Sequence, residues 1–309
     1  MTLQQLKYVI EVAKNQSISK AAQNLFISQP SLSNALKELE QELGITIFLR
    51  TSKGITITAE GTEFLGYARQ VVEQAELLEK RYANVQPSQQ HFSVSSQHYA
   101  FVVSAFVRLF ENYDRDEYEF TLRETRTYEI IENVKNLQSE VGVLYLNNFN
   151  EKVIRKFLRE ANLEFYPLFE AKPHVFIHIG HPLAQQKSVT LEDLHAYPYL
   201  SFEQGEFNSF YFSEEILSTI SRPKNIKVSD RATLFNLLIG LNGYTISTGV
   251  ISQELNKNIC SLPLEVDETM TVGYIVHKHV TTSKLAEIYI NYLKETINDE
   301  LKVPSRYSF

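Results

Sequence analysis

The sequence predicts an α/β chain in three parts: a small helical unit ending in a two-stranded wing, one long helix, and a larger body of alternating strands and helices. Three observations carry this. Apolar residues recur at helical spacing through 3–43 and 59–85, two short β-rich runs flank a basic glycine turn at 45–58, and short apolar strands alternate with helical runs from residue 92 onward. The 309 residues leave room for two or three domains, and 43% hydrophobic against 22% charged residues is the composition of a folded globular chain. The single cysteine, Cys260, cannot form an internal disulfide. With no apolar run of about 18 residues and no secretory leader pattern, the expected location is the cytoplasm.

Net charge is −7, which argues against a surface that binds nucleic acid everywhere. Its distribution is uneven. Residues 1–61 carry six basic and five acidic side chains, whereas residues 91–309 carry 21 basic and 28 acidic ones. A DNA-binding N-terminus is compatible with that split.

The first helix follows from Leu3, Leu6, Val9, Ile10 and Ala13 and ends near Asn15. Ser17 is placed to cap a second helix, whose small residues Ala21 and Ala22 with Leu25 allow a close helix crossing. Ser28 caps a third helix with Pro30 in its first turn, where a missing N–H is harmless, and Gly44 stops it. Leu32, Leu36, Leu39 and Leu43 form the apolar face. The opposite face carries Gln29, Ser31, Ser33, Asn34 and Lys37, donors and acceptors suited to base edges and phosphates; a merely solvated face is the alternative. Beyond Gly44, Ile45–Leu49 and Ile55–Thr58 flank Arg50 and Lys53, which as a wing would grip phosphates. That order is a winged helix-turn-helix, with the third helix entering the major groove.

From Tyr8 to Gly61 the chain resembles the DNA-binding domain of LysR-type transcriptional regulators. The resemblance rests on Ser17-Ile18-Ser19-Lys20-Ala21-Ala22, Ser28-Gln29-Pro30-Ser31-Leu32-Ser33, Leu39-Glu40, Leu43-Gly44, Arg50 and Thr58-Ala59-Glu60-Gly61. It implies DNA contacts from Ser17, Lys20, Ser28, Gln29, Pro30, Ser31, Ser33, Asn34, Lys37, Arg50 and Lys53. Many members carry Arg or a longer side chain where Asn34 stands. Asn prefers adenine, so this chain's operator preference is expected to differ.

Thr58 caps a long helix from Ala59 to about Val85, with Phe64, Leu65, Ala68, Val71, Val72, Ala75, Leu78 and Tyr82 at threes and fours. A helix paired with a second copy is preferred to one packed only on its own chain, because two recognition helices let so weakly basic a unit bind DNA usefully. The family resemblance implies the same pairing. A polar hinge follows at Gln86-Pro87-Ser88-Gln89-Gln90.

The alternation beyond Phe92 predicts a largely parallel sheet and enough strands for two lobes, with a crevice for a small molecule. A weaker resemblance to the effector domain of the same family, which is similar to periplasmic binding proteins, rests on His181-Pro182-Leu183-Ala184, Leu191-Glu192-Asp193-Leu194 with Pro198, and the turn around Gly240 and Gly243. The chain departs from the common pattern at Val141-Gly142-Val143 and at Thr248-Gly249. The string from Gly243 to Gly249 resembles a subgroup from Gram-positive bacteria that regulates sulfur amino-acid genes. The expected domains are 1–58 for DNA, 59–90 for the linker helix and hinge, and 91–309 for the effector, with lobe I at about 91–162 and 269–309 and lobe II at about 163–268.

Ser95, Ser96 and Gln97 end a strand and open a helix, and Thr125, Arg126 and Thr127 do the same after the next strand. Hydroxyls, free N–H groups and the Arg126 fork would converge there on an anionic group. Ser201, Phe202, Glu203 and Thr245 are the candidates from the other lobe. Each Ser or Thr has capping as its alternative, and Arg126 has pairing with Glu124 or Glu129. His174, His178 and His181 lack companion ligands, so no metal is expected, and no other cofactor. Cys260 lies in an apolar segment as an inert thiol, and no catalytic constellation has recognisable context.

The sequence therefore reads as a bacterial DNA-binding regulator controlled by a small molecule, an amino-acid or sulfur metabolite. Its expected partners are a dyad operator in double-stranded DNA, its own copies as dimer and tetramer, and RNA polymerase, with no membrane. The alternative from another class is a small-molecule binding protein or enzyme with an N-terminus used only for assembly.

Overall fold

A computed structural model describes residues 1–51, 54–83, 90–113, 118–207, 209–251 and 256–302. Two compact units divide at Pro87 and Ser88.

In the first unit, helices α1 (Leu3–Asn15), α2 (Ile18–Asn24) and α3 (Gln29–Leu43) precede strands β1 (Phe48–Thr51) and β2 (Gly54–Ile57) and helix α4 (Ala59–Ala83). The caps fall where the side chains predict. Ser17 accepts from the Lys20 N–H at 3.3 Å and Ser28 from the Ser31 N–H at 3.2 Å. Gly44 ends α3 at φ 68°, a left-handed position where a Cβ is costly. Val9, Val12, Ala21, Ala22, Leu32, Leu36 and Leu39 form one buried cluster with Ile47 and Phe48. Glu40 ties α3 to the wing, accepting from the Ile47 N–H at 2.7 Å and the Phe48 N–H at 3.0 Å. The wing is an antiparallel pair with Phe48 opposite Ile57. Thr58 caps α4 through the Gly61 N–H at 2.8 Å. Leu65, Ala68 and Val72 on α4 are buried, and Ala68 and Val72 join a cluster with Leu6, Leu3 and Ile10 of α1, so the early turns of α4 pack on their own chain.

The second unit opens with β3 (Gln90–Ser96), α5 (Ala100–Glu111), β4 (Tyr118–Glu124), α6 (Thr127–Lys135), β5 (Val141–Leu146), α7 (Glu151–Glu160) and β6 (Leu163–Ala171). It continues through β7 (His174–His178), α8 (Leu191–Leu194), β8 (Tyr199–Phe202), β9 (Asn225–Val228), α9 (Arg231–Leu241), β10 (Thr245–Ser247) and β11 (Ile259–Pro263), then returns with β12 (Met270–His277) and α10 (Lys284–Lys302). One lobe holds the sheet β4-β3-β5-β12-β6; the other holds β10-β7-β11 and the pair β8-β9.

Two expectations need correction. The first lobe's sheet is mixed rather than largely parallel: β3 runs parallel to β4 and β5, but β12 enters from the second lobe and pairs antiparallel with both β5 and β6. For the same reason β6, assigned by the sequence reading to the second lobe, is an edge strand of the first. Apolar periodicity identifies a strand but not the sheet it joins.

A third crossing was not foreseen. After β8 the chain passes back over the first lobe, where a single 3-10 turn at Phe210–Phe212 buries Phe212 among Ile130, Ile131, Leu146, Ile154 and Leu158. Phe207 stacks on Tyr128 at 3.5 Å between ring centroids, and Tyr211 on Phe149 at 4.7 Å.

Close backbone approach sets one glycine in this sheet. A Cβ at Gly273, beside the β12 bulge, would lie 2.4 Å from the Tyr166 carbonyl oxygen and 2.3 Å from the Phe165 ring. Gly273→Ala is expected to lower unfolding free energy by about 1–3 kcal/mol in urea titrations, and an unchanged midpoint would contradict this packing.

Candidate functional site

The DNA-facing candidates divide by burial. Lys20, Ser28, Gln29, Pro30, Ser31, Asn34 and Lys37 are exposed, Ser17 and Ser33 half-buried. Leu32, Leu36 and Leu39 point the other way into the core, so the helix period alone leaves Gln29, Ser33 and Lys37 along one outward stripe. Ser28 and Ser31 share a hydroxyl contact at 2.7 Å, which fixes the cap and the start of the helix. Arg50 lies on β1, and Lys53 lies outside the described residues.

The second unit builds its site differently from the expected anion cradle. Gln97 is wholly buried: it accepts from the Tyr99 hydroxyl at 2.9 Å and the Tyr145 N–H at 3.1 Å and donates to the Thr127 hydroxyl at 2.7 Å. Ser95 is turned to Ser139 at 2.8 Å and Asn133 at 3.1 Å. Thr125 bonds Glu129, and the Arg126 guanidinium is shared by Glu129 at 3.0 Å and by Glu203. Thus Ser95, Gln97, Thr125 and Thr127 hold the first lobe together. Arg126 is a bridge between the lobes rather than a free fork. Ser96 is fully buried with no partner for its hydroxyl. Ser201 is buried on β8.

Of the predicted residues, Phe202 and Thr245 line a narrow cleft between the lobes, with a cavity volume of about 30 Å³. The other polar residues in its walls are His98, Tyr99, Glu214, Glu215, Arg231 and Ser247, none of them among the candidates expected from the sequence. Glu214 sits on the crossing segment and accepts from the His98 ring nitrogen Nδ1 at 2.8 Å and from the His98 N–H at 3.0 Å. The His98 ring lies flat on Phe202, 3.7 Å between centroids. Burial works against charge on His98, but the hydrogen bond and charge of Glu214, helped by Glu124, outweigh it and hold the ring's pKa above its ordinary value. Across the mouth Arg231 pairs with Glu124 at 3.2 Å. The one legible signal was the pair Glu214-Glu215 set between the apolar runs Phe210–Phe212 and Ile216-Leu217, since carboxylates are rarely buried without partners.

The three histidines are engaged with backbone. His174 Nδ1 meets the Lys172 carbonyl at 2.8 Å, His178 accepts from the Gly180 N–H at 3.2 Å, and His181 bridges the Leu183 N–H and the Asn242 carbonyl. No metal-binding group of three or more His, Cys, Asp or Glu occurs among the described residues. Burial pushes the Cys260 thiol up to about 11.

A helix-turn-helix with an outward polar stripe, together with a two-lobed body around a lined cleft, defines a DNA-binding regulator with a small-molecule domain. Comparison with known proteins agrees: residues 3–62 match the bacterial regulatory helix-turn-helix protein, lysR family, and residues 93–298 the LysR substrate binding domain. The chain belongs to the LysR family of DNA-binding transcriptional regulators. A probable RuBisCO transcriptional regulator of Phaeodactylum tricornutum is 25% identical over 315 residues, covering 96% of this chain and 98% of its own. The HTH-type transcriptional regulator CysL of Bacillus subtilis is 25% identical over 310 residues, with 96% and 98% covered. A cysteine mutant of OxyR from Corynebacterium glutamicum has the same fold, with a TM-score of 0.51, 18% identity, and 97% and 92% covered. These relatives are regulators, which sets aside the alternative of an enzyme with an assembly-only N-terminus.

Glu215 is 3% exposed and accepts from the Phe202 N–H at 2.8 Å. Burial, then the neighbouring charge of Glu214, raises its pKa from 4.5 to about 8. Because the folded value lies above the unfolded one, the unfolded state binds fewer protons between these values and stability falls as pH rises from 4.5 to about 8. Glu215→Gln is therefore expected to raise the thermal midpoint by roughly 2 to 6 °C at pH 7.5 and to lose most of that gain at pH 5. A gain equal at both pH values would rule out this titration as its source.

Proposed function

We propose that the chain reads a dyad operator as a symmetric pair of copies and that the cleft between the lobes of each copy receives the controlling small molecule. The observation that carries the DNA reading is the outward stripe of exposed Gln29 and Lys37 with half-buried Ser33 between them and exposed Asn34 beside it, opposite the buried Leu32, Leu36 and Leu39; Leu43, at the end of that leucine row, is exposed. Side chains with that mix of donors and acceptors distinguish base pairs in the major groove, and Asn34 favours adenine. Arg50 and Lys53 would add phosphate contacts, and Ser17, Lys20, Ser28, Pro30 and Ser31 would meet the DNA backbone as α3 approaches.

Pairing is supported by α4. Its buried residues face α1, yet Tyr67, Val71 and Leu78 remain exposed at 64%, 51% and 60%, an apolar flank that a second α4 would cover. Association of pairs into a tetramer and contact with RNA polymerase extend the same reading. DNA as the target implies work in the cytoplasm, and no helix among the described residues is long and apolar enough to cross a membrane. The narrower reading, control of sulfur amino-acid genes, is supported by the string Gly243–Gly249 and by the relative named CysL.

The test uses DNA selected by the wild-type chain from a random-sequence library. Gln29→Ala and Asn34→Ala are each expected to weaken binding about 5- to 100-fold and to relax sequence preference at single positions, without altering the salt dependence. Unchanged affinity in both variants would remove α3 as the reader. Val71→Glu with Leu78→Glu should convert the pair to single copies in sedimentation; a pair that survives both charges would place the contact elsewhere.

A further inference from the structure

His98 and Glu214 form an ion pair where the two lobes meet, and the pair is sealed: the side chains are 5% and 4% exposed, with His98 Nδ1 2.8 Å from a Glu214 carboxylate oxygen. His98 belongs to the β3–α5 turn of the first lobe, but its ring lies flat on Phe202 of β8 in the second, so parting the lobes returns the ring to water. The other ion pairs across this seam, Arg231 with Glu124 and Arg126 with Glu203, are closed by guanidinium groups that keep their protons throughout the neutral range. Among the described residues, His98 with Glu214 is therefore the pair across the seam that is completed by a proton exchangeable near neutral pH. Arg231 and Glu124 cancel each other's charge. Glu214 is matched only while both ring nitrogens of His98 carry protons. A neutral imidazole still donates to it, and Gln204 donates at 3.3 Å, but neither supplies charge, and a carboxylate held out of water without a cation destabilises the seam. The remaining ionisable groups around His98 are Tyr99 beside it, Glu215 on the crossing segment and Asp230 at the start of α9. Burial opposes the proton on His98; the hydrogen bond and charge of Glu214, then the charge of Glu124, outweigh burial and Arg231.

We propose that the seam is a proton-controlled latch: a proton on His98 holds the lobes closed through Glu214, and parting the lobes releases it to solvent. The latch needs no ligand in the cleft, so it goes beyond the effector reading and does not depend on it. In the closed seam His98 is held above its ordinary value of 6.5, to which it returns when the ring meets water. The latch is therefore fully made below pH 6.5 and is lost as pH rises through the closed-state value. Glu215, raised to about 8 by burial and then by Glu214, titrates with the same sign, so its contribution has to be removed to see that of His98.

The experiment measures the distance between the lobes in the full chain, with Glu215→Gln in every sample. Spin labels go on Lys152→Cys in the first lobe and Lys187→Cys in the second, both exposed positions, while the native Cys260 is buried. Labelled chains are diluted among unlabelled ones so that each distance comes from one copy. From pH 6 to 9 the ratio of closed to open chains is expected to fall several-fold, nowhere more steeply than about tenfold per pH unit, the limit for one proton. His98→Gln keeps a neutral donor without the proton, and Glu214→Gln removes the charge that holds the proton; each is expected to flatten the profile. Where one of these variants fails to melt cooperatively, the other carries the comparison. A closed fraction that does not change with pH in the chain carrying Glu215→Gln alone would overturn the latch. So would a fall that survives His98→Gln or Glu214→Gln in a cooperatively folded chain, because the linked proton would then sit on another group.

Discussion

The second unit depends on a segment that leaves one lobe and is buried in the other. Phe212 sits 4% exposed among aliphatic side chains of α6, β5 and α7, although its flanking strands β8 and β9 belong to the opposite lobe. Removal of a buried phenylalanine of this kind costs about 3–5 kcal/mol. Once Phe212 is anchored, Glu214 and Glu215 two and three residues later are fixed against the cleft. Their positions then draw in His98 from the β3–α5 turn and the backbone of Phe202 from β8. The hydrophobic anchor thus supports the polar site: the carboxylates are held in place by apolar packing whose stabilisation offsets their burial.

Charge pairs reinforce the same crossing. Arg126 to Glu203, Arg231 to Glu124, and the Thr127 N–H to Gln204 at 3.2 Å all run between the lobes or onto the crossing segment. Gln204 in turn donates to Glu214 at 3.3 Å. The walls of the cleft lined by Glu214 and Glu215 therefore share the contacts that set how the lobes meet, and a ligand there would act on them. Such a ligand changes the relative stability of two lobe arrangements only to the extent that it binds them differently.

Legibility in the sequence followed the range of the interactions. The first unit was readable because its determinants are local: Ser17 and Ser28 three residues before the N–H groups they accept from, Gly44 at the end of a leucine stripe, and small Ala21 and Ala22 where helices cross. Strands of the second unit were readable as strands, but the partner of β6 is β12, about a hundred residues later, and no local pattern reports it. The effector residues suffered most. Ser95, Gln97 and Thr127 carry the residue types of a ligand loop, yet Gln97 is consumed by Tyr145, 48 positions away. Glu214 finds His98 at a separation of 116 positions, which only the folded topology can bring together.

The crossing segment joins the two lobes around the cleft. Hydrogen–deuterium exchange of the full chain, compared between wild type and Phe212→Ala, tests it most directly. Faster exchange is predicted at the β3–α5 turn around His98, at the start of α6 and along β8 and β10, with residues 3–43 unchanged. Faster exchange confined to residues 205–217, with both walls of the cleft as protected as in the wild type, would contradict it.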